Sequence, residues 1–301
     1  MTQQRFSRSL PILLVALTLL VAACSSSKTS SPTTTTTTTA PSTTTGPTTS
    51  TTAPTTTTIN PGGGHLRNIY LIRGGKVVVV GRNAVGPDVP EVAIHILLGG
   101  PQGSIERGLG DSTAIPDGTT INSITSTNGV ATVDLSANFT APASKLVMQE
   151  RFAQIVYTLT GFPNIDSVRF LVNGTPIAVV GSAGKLIGNV GRVAFDTVTP
   201  HILVESPTPG ATIHSPVTVT GTAATFEQAV NYTILGPDGQ TIASGVTTAG
   251  PVGATGEQGA FSFTAAYTLG QSGLGRIVVY QVSAKDGSDV DVVQIPVQIQ
   301  P

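Results

Sequence analysis

Four histidines, one cysteine and a few aspartates are the candidates for chemistry in this 301-residue chain. His65, His95, His201 and His214 are scattered, without the spacing that brings several ligands onto one metal ion. His95 sits beside an apolar helical stripe and reads as a structural residue. Asp117, Asp238 and Asp286 each precede a glycine, and turn geometry explains an aspartate there better than general-acid work. Asp134 ends an alternating apolar run, a place for a capping or turn hydrogen bond. Gly181-Ser182-Ala183-Gly184 lacks the spacing of a nucleophile elbow, and no dinucleotide or Walker fingerprint occurs. The glycine-rich stretch 253–259 is not followed by the helix that phosphate binding uses. Catalytic residues, cofactor ligands and metal ligands are therefore assigned to no position, and the chain is not expected to be an enzyme.

Cys24 remains. A single cysteine excludes a disulfide framework and every multi-cysteine zinc or iron–sulfur site. Arg5 and Arg8 precede an apolar run from Leu10 to Ala23, short of the roughly 20 residues that a spanning helix needs. A basic start, a short apolar centre and small residues at its end form the layout of a secretory signal. The run closes with Val21-Ala22-Ala23-Cys24 and gives way at once to Ser25-Ser26-Ser27-Lys28. That junction resembles the bacterial lipobox, although Val21 departs from the commonest form. The resemblance implies cleavage after Ala23 and diacylation of the Cys24 thiol. Acyl chains on that residue suffice for stable anchoring, so a membrane is the first expected partner. The expected location is the extracytoplasmic face of a bacterial plasma membrane.

Composition divides the rest. Fifteen Lys and Arg against 16 Asp and Glu leave a net charge of −1, so no basic field exists to hold nucleic acid. From Ser25 to Asn60 the chain is Thr-rich with Ser, Pro and Ala, and carries one charge. Such a segment cannot bury enough surface to offset its ordering entropy, and reads as a disordered tether spanning on the order of 35 Å as a coil. The expected divisions are a signal peptide over 1–23, a tether over 24–64, and two folded domains over 65–197 and 198–301.

The first domain opens with strands at Arg67–Arg73 and Lys76–Val80 around Gly74-Gly75. Asp88-Val89-Pro90-Glu91 marks a helix start with Asp88 as the capping acid, and Gly99-Gly100-Pro101 marks its stop. Val89, Val92, Ala93, Ile96 and Leu97 share one face of that helix. Residues 102–117 read as a loop. Strands near Thr120–Ser126 and Val130–Leu135 flank Asn128-Gly129. A second helix from about Ser144 to Thr160 places Met148, Phe152, Ile155, Val156 and Leu159 on one stripe, with Lys145, Glu150, Arg151 and Gln154 away from it. Strands at Asp166–Val172 and Thr175–Val180 flank Asn173-Gly174. The order ββ-α-ββ-α-ββ is an α+β domain.

Ile115-Pro116-Asp117-Gly118-Thr119, the run Gly129 to Ser136 with Phe139, Gln154 to Thr160 with Phe162-Pro163, and Val168 to Gly174 resemble the GerMN domain of spore formation and germination. The resemblance covers nearly all of this domain and implies protein contact rather than catalysis. Core packing is the expectation for Phe139 and Phe162.

After Thr199-Pro200 the pattern changes to short alternating runs at Val217–Thr222, Val230–Leu235, Phe261–Thr264, Ile277–Ala284 and Val290–Ile299, with turns at Pro209-Gly210, Pro237-Asp238-Gly239 and Asp286-Gly287-Ser288. About seven short strands make a two-sheet β-sandwich. Ile202 to Pro207, Ser215-Pro216-Val217 to Gly221, Val282 to Ser288 and Ile295-Pro296-Val297 resemble the immunoglobulin-like module that accompanies GerMN domains.

Together the resemblances imply a non-enzymatic, lipid-anchored envelope protein with a binding, scaffold or regulatory accessory role in envelope maintenance, division or sporulation- and germination-like differentiation. The expected partner is another envelope protein, a membrane sensor kinase or an assembly component. The alternative is a peptidoglycan- or glycan-binding or wall-active protein using a groove between the two domains; the absence of Trp counts against it.

Overall fold

The structure is a computed structural model that describes residues 64–251 and 258–301. Ala23, Cys24, the tether and most of the stretch 253–259 lie outside the described residues.

Strands β1 (His65–Arg73) and β2 (Lys76–Ala84) form an antiparallel hairpin. Its turn places Gly74 and Gly75 at φ of 57° and 78°, which a two-residue turn of this hand requires of both positions. Helix α1 (Pro90–Leu98) starts on Pro90, whose missing N–H costs nothing at a first helical position. Asp88 does not cap it. Its carboxylate pairs with Arg67, and the cap position falls to Val89, which has no acceptor to offer. The buried face is Ala93, Ile94 and Leu97.

The expected loop over 102–117 contains a second helix, α2 (Gly103–Leu109). Seven residues are too few to hold a helix in isolation, so the support is tertiary. The Glu106 carboxylate accepts the Gln102 N–H at 2.6 Å and pairs with Arg82 of β2. Strands β3 (Ile121–Thr127) and β4 (Gly129–Leu135) follow around Asn128-Gly129. A 3₁₀ turn at Ala137–Thr140 buries Phe139 and leads into helix α3 (Lys145–Leu159), where the Ser144 hydroxyl accepts the Val147 N–H at 3.3 Å.

Strand β5 (Ile165–Val172) lies parallel to β4, so α3 is the crossover of a β-α-β unit. Phe152 of α3 meets Phe139 and Phe170 edge-on at 5.2 and 4.9 Å. The expected partner strand over Thr175–Val180 is reduced to β6 (Thr175–Pro176), because Pro176 has no N–H to continue a ladder. The chain then turns into a small hairpin of β7 (Val179–Gly181) and β8 (Gly184–Leu186). The sheet order is β3-β4-β5-β6. The fold is α+β as expected, with α2 and the last hairpin added.

One expectation about α3 fails. Lys145 is exposed, but Glu150, Arg151 and Gln154 are buried. Arg151 donates to the carbonyls of Ala114, Phe139 and Ala141 at 3.0, 2.6 and 2.9 Å. Gln154 donates to the Tyr70 carbonyl at 3.1 Å and accepts the Ala114 N–H at 2.8 Å. Polar side chains are buried here because they serve main chain that has no ladder.

Among the described residues the sandwich has eight strands, β9 (Ile202–Ser206), β10 (Thr212–Ile213), β11 (Val217–Ala223), β12 (Ala229–Leu235), β13 (Thr241–Thr248), β14 (Gly259–Ala265), β15 (Gly273–Val282) and β16 (Asp289–Ile299). They form two sheets, β10-β16-β15-β12-β13 and β14-β11-β9. Strand β13 escapes the sequence pattern because it is a largely exposed edge with little apolar alternation. Val219, Val230, Ile234, Ile277, Val279 and Val297 fill the interior. Strand β9 serves both cores: Ile202 and Val204 pack into the sandwich, while Leu203 packs into the first domain. A continuous apolar run is what a strand buried on both faces requires.

Candidate functional site

The residues that converge are not those whose types suggested chemistry. Beside β9, where the two cores meet, Tyr70 from β1, Tyr157 from α3, Arg192 from the 3₁₀ stretch Arg192–Val198 and Glu205 from β9 form one cluster. Arg192 donates through Nη1 to Glu205 Oε1 at 2.8 Å and through Nε to the Thr160 hydroxyl at 2.8 Å. Its Nη2 reaches the Tyr70 hydroxyl at 3.2 Å and the Tyr157 carbonyl at 3.4 Å. The guanidinium also lies 5.3 Å from the Tyr70 ring centroid and 4.7 Å from that of Tyr157. The Tyr70 hydroxyl donates to Glu205 Oε1 at 2.5 Å, and the Tyr157 hydroxyl meets that of Thr199 at 2.6 Å.

Burial pushes the Tyr70 phenol well above the ordinary tyrosine value, offset only in part by Arg192, and burial likewise raises that of Tyr157, offset in part by the Thr199 hydrogen bond and by Arg192. Burial alone would lower the Arg192 pKa. Tyr70 and Glu205 outweigh that penalty, so its pKa is raised. Both phenols therefore stay protonated and the guanidinium stays charged. Glu205 Oε1 is engaged twice, and neither phenol is a free nucleophile. The polar groups of the cluster are taken up by one another.

Two clefts flank it. One, of about 420 Å³, is lined by Arg67, Asn68, Tyr70, Thr160, Arg192 and Glu205, and is mainly polar. The other, of about 450 Å³, is lined by Tyr157, Val193, Asp196, His201, Thr222 and Gln258 among others. The Asn68 side chain donates to the Glu205 carbonyl at 2.9 Å, and Gln258 donates to the Pro200 carbonyl at 2.7 Å. The first of these bonds joins β1 of the first domain to β9, and the second lies within the second domain.

Positions singled out in the sequence are dispersed. Ala23 and Cys24 lie outside the described residues. His201 pairs with Asp291 at 3.1 Å, and the exposed His95 is 3.9 Å from Glu91. Asp134 accepts the Gly174 N–H at 3.0 Å, a turn bond. Asp238 and Asp286 accept N–H groups two residues on, and the Asp117 carbonyl accepts from Asn138. Phe139 and Phe162 are buried in the first core. Among the described residues, no three His, Cys, Asp or Glu side chains come close enough to hold a metal ion. Among them, too, no helix is long and apolar enough to cross a membrane. The junction cluster left one signal in the sequence. Tyr70 and Glu205 interrupt or end apolar runs, at Ile69-Tyr70-Leu71-Ile72 and Ile202-Leu203-Val204-Glu205, and a polar group in such a run needs a partner.

Residues 68–178 match the family model described as Germane, sporulation and spore germination. Residues 201–288 match the immunoglobulin-like domain of bacterial spore germination. Among solved structures, the tandem GerMN domains of the sporulation protein GerM from Bacillus subtilis are 18% identical, with 62% of this chain and 60% of that chain covered at a TM-score of 0.37. This chain thus spans less than two thirds of that one. The first GerMN domain of the same protein is 26% identical, with 42% of this chain and 97% of that chain covered at a TM-score of 0.33. Comparison with curated proteins gives no match.

Proposed function

The chain belongs among proteins that carry a Germane domain followed by the immunoglobulin-like domain of bacterial spore germination, and we propose that it is a non-enzymatic accessory or scaffold protein of the cell envelope. On this reading Cys24 is acylated, and the two domains are held as one body at the extracytoplasmic face of the membrane. The body docks onto another envelope protein in a differentiation process related to sporulation or germination. The observation that supports it most is the junction cluster. It consumes Arg192, Glu205 and both tyrosines in joining the domains, which suits a rigid presenting body and leaves no acid–base pair for a reaction.

Labelling intact cells with an alkyne fatty acid tests the anchor. The unaltered chain should take the label and Cys24→Ala should not; label retained by the variant rejects acylation at that residue. Cross-linking in intact cells beside a pull-down on purified sacculi tests the partner. Crosslinks to a protein support docking. The polar cleft beside Arg67 and Arg192 supports a second reading, glycan binding. Sacculus binding that survives salt, without protein crosslinks, would select it.

A further inference from the structure

The four-stranded sheet of the first domain has two edges built in different ways. One edge, β6, is two residues long and ends at Pro176. The other, β3, runs seven residues from Ile121 to Thr127 and carries neither proline nor charge. Asn122, Ser123, Thr125, Ser126 and Thr127 are exposed, and β4 is the single strand paired with β3 among the described residues; that pairing is irregular between Ile121 and Ser123 and regular from Ser123 to Thr127. Its outer side offers main-chain N–H and C=O groups without the charges or proline that ordinarily blunt such an edge. The sandwich treats its edges otherwise. Strand β10 has two residues, and β9 lies between two cores. Strand β13 is tied to the facing sheet, its Thr247 hydroxyl donating to the Ser262 carbonyl of β14 at 3.1 Å.

We infer that β3 pairs antiparallel with β3 of a second copy of this chain, joining two four-stranded sheets edge to edge. Charge and composition select that occupant. A strand that meets its own copy sets each side chain against members of the same set, and any charge of one sign would repel itself there. β3 has none. The exposed side chains of Ser123, Thr125, Ser126 and Thr127 are hydroxyls, which pair with their own kind across strands, while the Asn122 amide donates to the Leu135 carbonyl of its own domain at 3.1 Å. Ile121 and Ile124 pack against the core of their own domain, so a slip that turned them outward is penalised. A seven-residue edge buries less than the roughly 1,200 Å² of a standard interface, so the pairing is weak and responds to local concentration. The inference does not depend on Cys24 being acylated.

The test places cysteine at Thr125, in the middle of the exposed edge, within the full chain, and oxidises thiols on intact cells. The unaltered chain, whose only cysteine is Cys24, sets the background. Gln240→Cys, on an exposed sandwich turn, controls for chance collision. A disulfide-linked dimer from Thr125→Cys well above both is expected. Its absence, or an equal yield from the control, overturns the pairing. A charge exchange separates pairing from misfolding. Thr125→Lys and Thr125→Glu chains, each with an unchanged melting temperature, should sediment as monomers in detergent, and an equimolar mixture should associate again. Association that persists in either variant alone, or an unaltered chain that stays monomeric at its highest soluble concentration, overturns it as well.

Discussion

The first core and the sandwich core satisfy their main chains by different means. Around α3, buried polar side chains reach across to carbonyls of other elements: Gln149 to Gly181 at 2.8 Å, Arg151 to three carbonyls, Gln154 to Tyr70. From Ile202 onward, only Thr208 and Tyr267 carry a polar group on a buried side chain among the described residues, and the Tyr267 hydroxyl donates to the Gln300 carbonyl at 3.1 Å. The sandwich consists almost wholly of ladders, which satisfy their own N–H and C=O groups, so its interior can be almost wholly apolar. The first domain has irregular connections over 110–120 and 136–144, and α3 supplies the donors that those carbonyls lack. Polar residues in a core here mark places where regular pairing stops.

The largest effect should come from removing the busiest of these donors. Arg151→Met keeps a long stem of similar reach but leaves the carbonyls of Ala114, Phe139 and Ala141 without their donor. A loss of about 3 kcal/mol or more in urea unfolding is expected, since a buried acceptor stranded without a partner costs about 1–3 kcal/mol. A sandwich truncation that merely shortens an apolar side chain, Ile277→Val, should cost only about 0.5–1.5 kcal/mol. Were Arg151→Met the milder of the two, the contrast between the cores would be wrong.

The junction comes next. Arg192→Ala removes the ion pair with Glu205, the bond to Thr160 and the stacking on two tyrosines. The expected cost is about 2–3 kcal/mol, with one thermal transition separating into two in calorimetry. A single transition in the variant would shift the coupling of the domains from Arg192 to the packing of Leu203 of β9.

These two residues also show how far the sequence can be read. The sandwich was legible because its burial follows strict alternation, as in Val217-Thr218-Val219-Thr220, where nothing outside the strand decides which side faces in. The turns at Gly74-Gly75, Asn128-Gly129 and Asn173-Gly174 were legible because their positive φ values restrict the residue types. Arg151 and Gln154 were misread because helical periodicity assigns faces by polarity, and their partners lie 10 to 84 residues away. Helix α2 was missed for the same reason, since its support is Arg82 on another element. Asp88 looked like a cap until Arg67 claimed it. The junction site was out of reach because Tyr70, Arg192 and Glu205 meet only once both domains are folded.

Glu150 is the exception among the buried polar residues of α3, and it gives the smallest and sharpest test. No hydrogen bond or ion pair among the described residues reaches its carboxylate, which abuts the Gly74-Gly75 turn. Burial raises its pKa above the ordinary value of 4.5. The unfolded chain then releases this proton at a lower pH than the folded chain does. As pH rises from 4.5 through the folded value, ionisation favours the unfolded state, and stability falls before levelling off. Glu150→Gln removes the titration, so the variant should gain on the unaltered chain across that window and keep a constant lead above it. Urea unfolding at a series of pH values measures the difference. Parallel profiles for the two chains would mean that Glu150 is as well served as Arg151 and Gln154, and that the polar face of α3 has no unpaid member.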